Sequence, residues 1–149
     1  MNAREEFAGR FRELQPKFAQ LHANILEPTG LTLSQYALLN QLLLLGSVSM
    51  TEISSRLRIT KPAVTNLVDR LEEKKFLKRI PHPQDRRIIL LEVLPKGRKI
   101  LTGIQAAILG MLLEAYDQFD STEHKVISRF YAALSKTMDV FLLRTQNEK

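Results

Sequence analysis

The first part of the chain repeats an apolar residue at every third or fourth position. Between residues 3 and 27 these residues form one stripe, which consists of Phe7, Phe11, Leu14, Phe18, Leu21 and Ile25. This spacing predicts an amphipathic helix. A kink is expected between Arg12 and Pro16, because proline removes a backbone hydrogen bond. The stripe could pack on its own domain or on a second subunit, and the small size of the domain favours a second subunit.

The following stretch is apolar on most of its sides. Thr32 and Ser34 are the candidate N-caps of a helix that runs to about Leu45, where Gly46 ends it. A helix that is apolar nearly all round is typical of the centre of a core.

Two short helices joined by a tight turn are predicted next. The first covers about residues 50–57, with Ser49 or Thr51 as its N-cap. The second covers about residues 60–74, and the hydroxyl of Thr60 is suited to cap it. The order helix, turn, helix is the first indication of a nucleic-acid-binding motif.

The second of these helices has one apolar and one polar face. Pro62 lies in its first turn, where its missing N–H costs nothing. The inward positions are Val64, Leu67, Val68 and Leu71, and the outward ones are Lys61, Ala63, Thr65, Asn66, Asp69 and Arg70. Small side chains allow a close approach, and Thr and Asn can read hydrogen-bonding edges, so this helix is suited to the DNA major groove.

A β-hairpin is predicted after the second helix. Residues 76–80 and 88–93 are rich in β-branched and apolar side chains, and a polar, turn-forming stretch joins them. The hairpin corresponds to the wing of a winged helix-turn-helix, and an arginine at its tip is suited to the narrow minor groove. Asp85 could hold Arg87 in place for that contact. The alternative is an exposed ion pair that adds little to stability.

Two long helices complete the chain. Pro95 opens one that runs to about Phe119, and Asp120 or Ser121 caps another that runs to about Arg144. A complete winged helix leaves these helices little core to cover, so we expect them to form a dimer interface with the N-terminal helix. The predicted fold is mainly α with a small β-hairpin wing. Its predicted parts are an N-terminal dimerisation helix (1–30), a winged helix-turn-helix DNA-binding domain (31–94) and C-terminal dimerisation helices (95–149).

Charge strengthens the prediction of a nucleic-acid partner. Ten basic and five acidic residues lie between Thr51 and Arg87, so this quarter of the chain holds most of the net charge of +6. A solvated basic face is the alternative on charge alone. The charge and the helix-turn-helix pattern together favour nucleic acid.

Other chemistry finds little support in the sequence. The chain has no cysteine, and its three histidines, His22, His82 and His124, lack the spacing of helical metal ligands. His124 beside Glu123 is a weak candidate metal pair, and an exposed pair at a helix start is the favoured interpretation. No phosphate loop or catalytic constellation is present in the sequence, so we expect no enzyme activity, no cofactor and no metal. We also expect no signal peptide, no membrane-spanning segment and a cytoplasmic location.

The order of elements resembles the multiple-antibiotic-resistance regulator (MarR) family. The segment TKPAVTNLVDRLEEKKFLKR resembles the family's recognition helix and first wing strand, and DRR followed by ILLEVLPKG resembles its wing tip and the next helix. LTLSQYALL is similar to the opening of the family's second helix. The resemblance covers the whole chain and implies a homodimeric transcriptional regulator. Such a regulator is usually a repressor and is often released by a small ligand.

The resemblance also implies roles for individual residues. The groove-facing set is Thr60, Lys61, Pro62, Ala63, Thr65, Asn66 and Arg70. The wing set is Asp85, Arg86 and Arg87, and the further candidates for phosphate contact are Ser34, Ser49, Thr51 and Lys78. His22 and Tyr36 could line a pocket for a small anionic aromatic ligand, although ordinary surface and core roles are favoured for them.

Two residues depart from the family pattern. Lys75 stands where the family usually has glycine, so the recognition helix is expected to end differently, because lysine adopts a left-handed conformation less readily. Pro95 stands where the family usually has threonine, and little change is expected there.

Three functions remain open from the sequence. The leading one is a sequence-specific repressor that binds double-stranded DNA as a homodimer on a pseudo-palindromic operator. The others are a winged-helix module that binds an acidic protein and a nucleoid architectural protein without sequence preference. The small groove-facing side chains argue against the protein-binding module.

Overall fold

The computed structural model describes residues 2–147 and is mainly helical, with one small antiparallel sheet. The chain divides into two compact units between Ala107 and Ile108. The elements follow the order α1 (Ala3–Leu26), a short 3-10 helix (Glu27–Thr29), α2 (Leu33–Leu45), β1 (Val48–Ser49), α3 (Met50–Leu57), α4 (Lys61–Glu73), β2 (Leu77–Pro81), β3 (Ile89–Val93), α5 (Pro95–Tyr116) and α6 (Ser121–Asn147). The predicted fold class, helices with a β-hairpin wing, is confirmed. The predicted helix α1 forms as one helix with Pro16 inside it.

The core of the first unit is a winged helix. Helices α2, α3 and α4 pack together and against the sheet. The side chains that are buried between these elements are Leu38, Leu39, Leu42, Ile53, Val64, Val68, Leu71, Leu77 and Leu91. Burial of apolar surface on this scale is what stabilises a small helical domain.

The sheet has three strands in the order β1-β3-β2, and all neighbours are antiparallel. β2 and β3 form the predicted hairpin, with Leu77 opposite Val93 and Pro81 opposite Ile89. The short strand β1 pairs with β3 through Val48 opposite Leu91, and the sequence analysis missed it. Two residues carry too little pattern to predict a strand, and the hydrogen bonds to β3 define this one.

Polar side chains cap the helices where the sequence offered two candidates. The backbone N–H of Gln35 donates to the Thr32 hydroxyl at 3.2 Å, and that of Glu52 donates to Ser49 at 3.1 Å. Asp120 accepts from the N–H of Glu123 at 2.9 Å and so caps α6. Each cap satisfies N–H groups that have no partner inside the helix.

Helix α4 ends as a glycine-capped helix would, contrary to the expectation for Lys75. Lys75 adopts φ +58°, in the left-handed region. Its N–H donates to the carbonyl of Glu72, and the N–H of Phe76 donates to that of Leu71, both at 2.9 Å. This is the Schellman pattern. Phe76 and Leu71 are both buried, and their burial offsets the cost of a left-handed lysine.

Helix α5 begins in the winged-helix core, where Gly97, Leu101 and Ile104 are buried. Among the described residues it is the one helix that length and composition alone would allow to cross a membrane, at a mean hydropathy of 1.2. Those buried residues show that the start of the helix packs within the domain.

The second unit contains the end of α5 and all of α6. The rings of Tyr116 and His124 stack at 3.8 Å, and His124 Nε2 lies 2.8 Å from the Tyr116 carbonyl oxygen. From Ser121 to Arg144 no side chain is buried within the chain. The exposed large apolar residues of α6 are Val126, Phe130, Tyr131, Leu134, Met138, Val140, Phe141, Leu142 and Leu143.

Candidate nucleic-acid interface

Helix α4 presents the polar face that the sequence predicted. The N–H of Ala63 donates to the Thr60 hydroxyl at 3.3 Å, which caps the helix, and Pro62 lies in the first turn. Val64 and Val68 are fully buried and hold the opposite face in the core. The exposed side chains up to Arg70 are those of Lys61, Pro62, Thr65, Asn66, Asp69 and Arg70, and Ala63 is half-buried. A helix anchored on one side and polar on the other can enter a groove without losing its own core.

Two side-chain hydrogen bonds order this exposed face. Arg70 Nε donates to Asn66 Oδ1 at 3.0 Å. The hydroxyl of Thr65 donates to the carbonyl of Lys61 at 3.1 Å. The first bond orients both an amide and a guanidinium, the two groups that read base edges most often. The rotamers of Asn66 and Arg70 are therefore partly set before any partner binds.

The turn between α3 and α4 is tight and hydrogen-bonded. Arg58 adopts φ +53° at the end of α3. The Ser54 hydroxyl donates to the Ile59 carbonyl at 2.7 Å, and the N–H of Ile59 donates to the Ser54 carbonyl at 3.2 Å. Ser54 thus ties the turn back onto α3, which fixes the angle at which α4 leaves it.

The wing tip carries an ion pair with two parallel hydrogen bonds. Arg87 Nε and an NH2 group donate to the two carboxylate oxygens of Asp85 at 3.0 and 2.9 Å, and the Arg87 backbone N–H also donates to Asp85 at 3.0 Å. The side-chain and backbone hydrogen bonds from Arg87 lower the pKa of Asp85. The Arg87 side chain stays 90% exposed. The pair therefore positions the guanidinium without covering it.

His82 organises the same turn, a role that the sequence analysis missed. The backbone N–H groups of Gln84 and Asp85 lie 3.1 and 3.3 Å from His82 Nδ1. Nδ1 is the acceptor in both contacts, which close the turn. A histidine directly before Pro83 in a polar turn was the available signal. A polar side chain at such a position can accept from backbone N–H groups two or three residues later in the chain.

The predicted phosphate-contact residues lie on several elements of the first unit. Ser34 and Thr51 are exposed in the first turns of α2 and α3, and Ser49 is half-buried as the cap of α3. Lys78 pairs with Glu92 across the sheet at 3.2 Å. Ser34 shares a concavity of about 390 Å³ with Ala63 and Asn66, so the structure brings these three predicted residues together. The contact roles themselves stay predictions.

Arg79, one of the ten basic residues counted between Thr51 and Arg87, is paired with two carboxylates of α4. Its two NH groups contact Asp69 at 2.6 Å and Glu72 at 2.5 Å. Burial by itself would lower the pKa of Arg79, but the hydrogen bonds to Asp69 and Glu72 outweigh it and raise that pKa. The outer face of α4 therefore carries an ion-pair network in its second half and uncovered polar groups in its first half.

The two predicted pocket residues do not share the concavity beside His22. His22 lines a space of about 520 Å³ with Leu26, Leu31 and Leu33. Its Nδ1 lies 2.8 Å from the Phe18 carbonyl oxygen. Tyr36 is half-buried and is not part of that lining. In the part of the chain that the structure describes, no three His, Asp or Glu side chains form a group that could hold a metal ion.

Comparison with known proteins agrees with this geometry. Residues 29–88, which contain α2 to α4 and most of the wing, match the model described as MarR family. The chain is 32% identical over 111 residues to the transcriptional repressor MdtR of Bacillus subtilis, covering 70% of this chain and 69% of that protein. It is 31% identical over 77 residues to the multiple antibiotic resistance protein MarR of Salmonella typhimurium, about half of each chain.

Solved structures match nearly the whole chain. A MarR family protein from Bacillus stearothermophilus superposes with a TM-score of 0.78 at 25% identity, covering 93% of this chain and 99% of that one. A mutant of MepR from S. aureus bound to an oligodeoxyribonucleotide gives 0.69 at 23% identity, covering 91% and 97%, and shows the shared fold. The winged-helix fold, the match to the family model and the similarity to MdtR lead to one conclusion. The chain belongs to the MarR family of winged-helix transcriptional regulators.

Proposed function

We propose that this chain is a repressor that binds a pseudo-palindromic operator in double-stranded DNA as a homodimer, and that it is not an enzyme. One observation carries the proposal: the capped, polar face of α4 and the ion-paired Arg87 of the wing lie in the same compact unit. A relative with 32% identity is named a repressor, and one structural neighbour is bound to an oligodeoxyribonucleotide, which supports the proposal.

In this proposal α4 enters the major groove and the wing reaches the flanking minor groove. Asn66 and Arg70 would contact base edges, and Ala63 would allow close approach. Arg87 would enter the minor groove, where a narrow groove strengthens the negative potential. Arg86 and the remaining predicted contacts would bind phosphates and set the register of the protein on the duplex.

The apolar surface of the long helices supports the homodimer. Phe7, Phe11 and Phe18 on α1 are 58%, 52% and 42% exposed, and Phe141 on α6 is 65% exposed. Rows of exposed aromatic side chains on helices are typical of surfaces that form an interface. A second copy of the chain is the partner that a two-fold symmetric operator would require. The proposed location of the protein is the cytoplasm.

Salt dependence tests the binding mode. If a dimer makes about six phosphate contacts, its affinity falls on the order of 10³-fold between about 50 and 200 mM salt. Fluorescence anisotropy with a duplex from the chain's own upstream region would measure this fall. Genomic selection of bound DNA would supply the operator if it lies elsewhere. A flat salt dependence would contradict the proposal.

A matched pair of variants tests the wing. Arg87→Ala should weaken binding by about 10-fold if the guanidinium contacts DNA. Arg10→Gln removes one positive charge from an exposed ion pair on α1 and should leave affinity unchanged. Equal affinity of wild type and Arg87→Ala would keep the regulator and remove the wing contact. Equal affinity for operator and random duplexes would favour an architectural protein, since a regulator should discriminate by at least about 10³-fold.

A small anionic aromatic ligand is a weaker part of the proposal. The space beside His22 has a volume typical of sites for small molecules, which run from about 300 to 1,000 Å³. A thermal-shift screen of aromatic acids should find a stabilising compound whose effect is lost in His22→Ala. A screen without any stabilising acid would contradict the ligand while leaving DNA binding intact.

A further inference from the structure

Arg79 connects the base of the wing to the recognition helix. It lies in β2, opposite Leu91 of β3. Its NH2 group contacts Asp69 at 2.6 Å, its NH1 group contacts Glu72 at 2.5 Å, and its backbone N–H donates to Glu72 at 3.1 Å. Three hydrogen bonds therefore join one residue of the strand to two residues of α4.

The geometry of this contact suits a positional role. Asp69 and Glu72 are three residues apart and lie side by side on the helix surface. The Arg79 side chain is 26% exposed, whereas that of Arg87 is 90% exposed. A planar guanidinium that binds two carboxylates holds them in a fixed orientation, which a lysine ammonium cannot do. Arg79 thus resists rotation of the hairpin relative to α4.

The contact also changes the charge of the surface that would face DNA. Asp69, Glu72 and Glu73 line one open concavity on the second half of α4. Carboxylates there would repel phosphates, and Arg79 contacts two of the three. Arg79 could therefore assist DNA binding by position, by charge or by both, and the two effects predict different results for substitution of its partners.

We infer that Arg79 is a positioning residue for DNA binding, which sets the wing against α4 so that Arg87 and Asn66 reach their grooves together. This inference rests on the proposed DNA-binding function. Three hydrogen bonds from Arg79 join the middle of β2 to α4, in addition to the apolar packing between the two elements around the buried Leu77. Without the Arg79 contacts, apolar packing would still hold β2 against α4, and we expect the direction of the wing to be less restricted.

Two neighbouring substitutions separate position from charge. Glu72→Ala and Glu73→Ala each remove one negative charge from the same stretch of α4, but only Glu72 contacts Arg79 among the hydrogen bonds and ion pairs of the described residues. If Arg79 acts by position, Glu72→Ala weakens DNA binding by about 10-fold while Glu73→Ala binds as tightly as wild type or more tightly. Equal or tighter binding by both variants would overturn the inference and leave charge as the explanation.

Arg79→Lys keeps the positive charge but removes the planar guanidinium that contacts both carboxylates. It therefore tests the positional role from the side of β2. We expect it to weaken binding by about 10-fold, and wild-type affinity would overturn the inference. Adding Arg87→Ala to each variant gives a double-mutant cycle. That substitution should cost about 10-fold in wild type and in Glu73→Ala, but less than about 3-fold in Glu72→Ala and Arg79→Lys. An equal cost in all four backgrounds would show that the wing is placed without Arg79.

A measurement without DNA keeps this test separate from the proposed function. Backbone ¹⁵N relaxation of residues 84–87 should show larger fast motion in Arg79→Lys and Glu72→Ala than in wild type and Glu73→Ala. Unchanged relaxation would overturn the inference even if DNA binding were confirmed. If wild type bound no DNA and the wing still became mobile in the variants, the proposed function would fail while the positioning of the wing would stand. Thermal melting of each variant would confirm that it is folded.

Discussion

Gly97 in the first turn of α5 allows the strand-to-helix junction to close, and Gly97→Ala is expected to open it. A Cβ atom at this position would lie 2.2 Å from the Phe76 carbonyl oxygen and 2.9 Å from its carbonyl carbon. Non-bonded carbon and oxygen atoms rest more than about 3.3 Å apart, so α5 and the start of the hairpin would have to separate by roughly 1 Å. The same carbonyl accepts from the Leu94 N–H at 2.9 Å, and that bond would be strained as well.

The size of the effect follows from three contributions. Overpacking in a closed core costs about 1–3 kcal/mol, and the upper end applies here because the obstructing atoms belong to the backbone. The weakened hydrogen bond adds about 1 kcal/mol. Alanine in place of glycine returns about 1 kcal/mol of helix propensity. The net loss is about 2–3 kcal/mol, which should lower Tm by about 5–10 °C for a chain of this length.

Gly103→Ala is the matched control on the same helix. No heavy atom lies within 4 Å of a Cβ built at Gly103, so the substitution should add only the propensity gain and raise Tm by about 2–4 °C. Thermal melting at equal protein concentration measures both variants, which matters if the protein is a dimer. A Gly97→Ala protein as stable as wild type or Gly103→Ala would refute the close packing at Phe76.

Three further predictions concern the recognition helix and the wing. Lys75→Gly should stabilise the protein by about 0.5–1 kcal/mol in urea unfolding, because glycine adopts the observed φ of +58° without strain; a loss of stability would contradict this. The pKa of Asp85 is lowered in the folded protein, so its contribution to stability is present above about pH 4 and is lost as the pH falls through the folded pKa. In Arg87→Ala, an NMR titration should find the pKa of Asp85 closer to its ordinary value. An Asp85 pKa that is the same in wild type and variant would rule out Arg87 as the cause of the shift. His82→Ala should raise hydrogen exchange at the Gln84 amide, whose acceptor it removes, and unchanged exchange would argue against that bond.

Predictions that rest on neighbouring residues agree with the structure. Helix α3 forms over Met50–Leu57 as the pattern indicated, and the structure selects Thr32, Ser49 and Asp120 from the candidate caps. The Asp85–Arg87 pair also forms as expected, since its two members are separated by a single residue. Caps, periodicity and short-range ion pairs act over two to four residues, so the sequence displays them directly.

Features that depend on residues distant in the sequence were predicted wrongly or missed. Lys75 was expected to disturb the end of α4, yet burial of Phe76 and Leu71 holds it in the left-handed conformation. The strand β1 was missed because its partner β3 lies some forty residues away. The count of basic and acidic residues could not show which of them pair, and the structure places Arg79 against two carboxylates of α4.

The sequence by itself determined the helices, the candidates for their caps, the hairpin and the resemblance to the family. These features are local, because each helix or turn is encoded by residues within a few positions of one another. Only the tertiary structure decided which charges on the outer face of α4 are paired, that Gly97 meets the backbone of Phe76, and that Arg79 joins the wing to α4. Such contacts join residues from separate elements. The pattern of neighbouring residues does not show how close two separate elements come after folding.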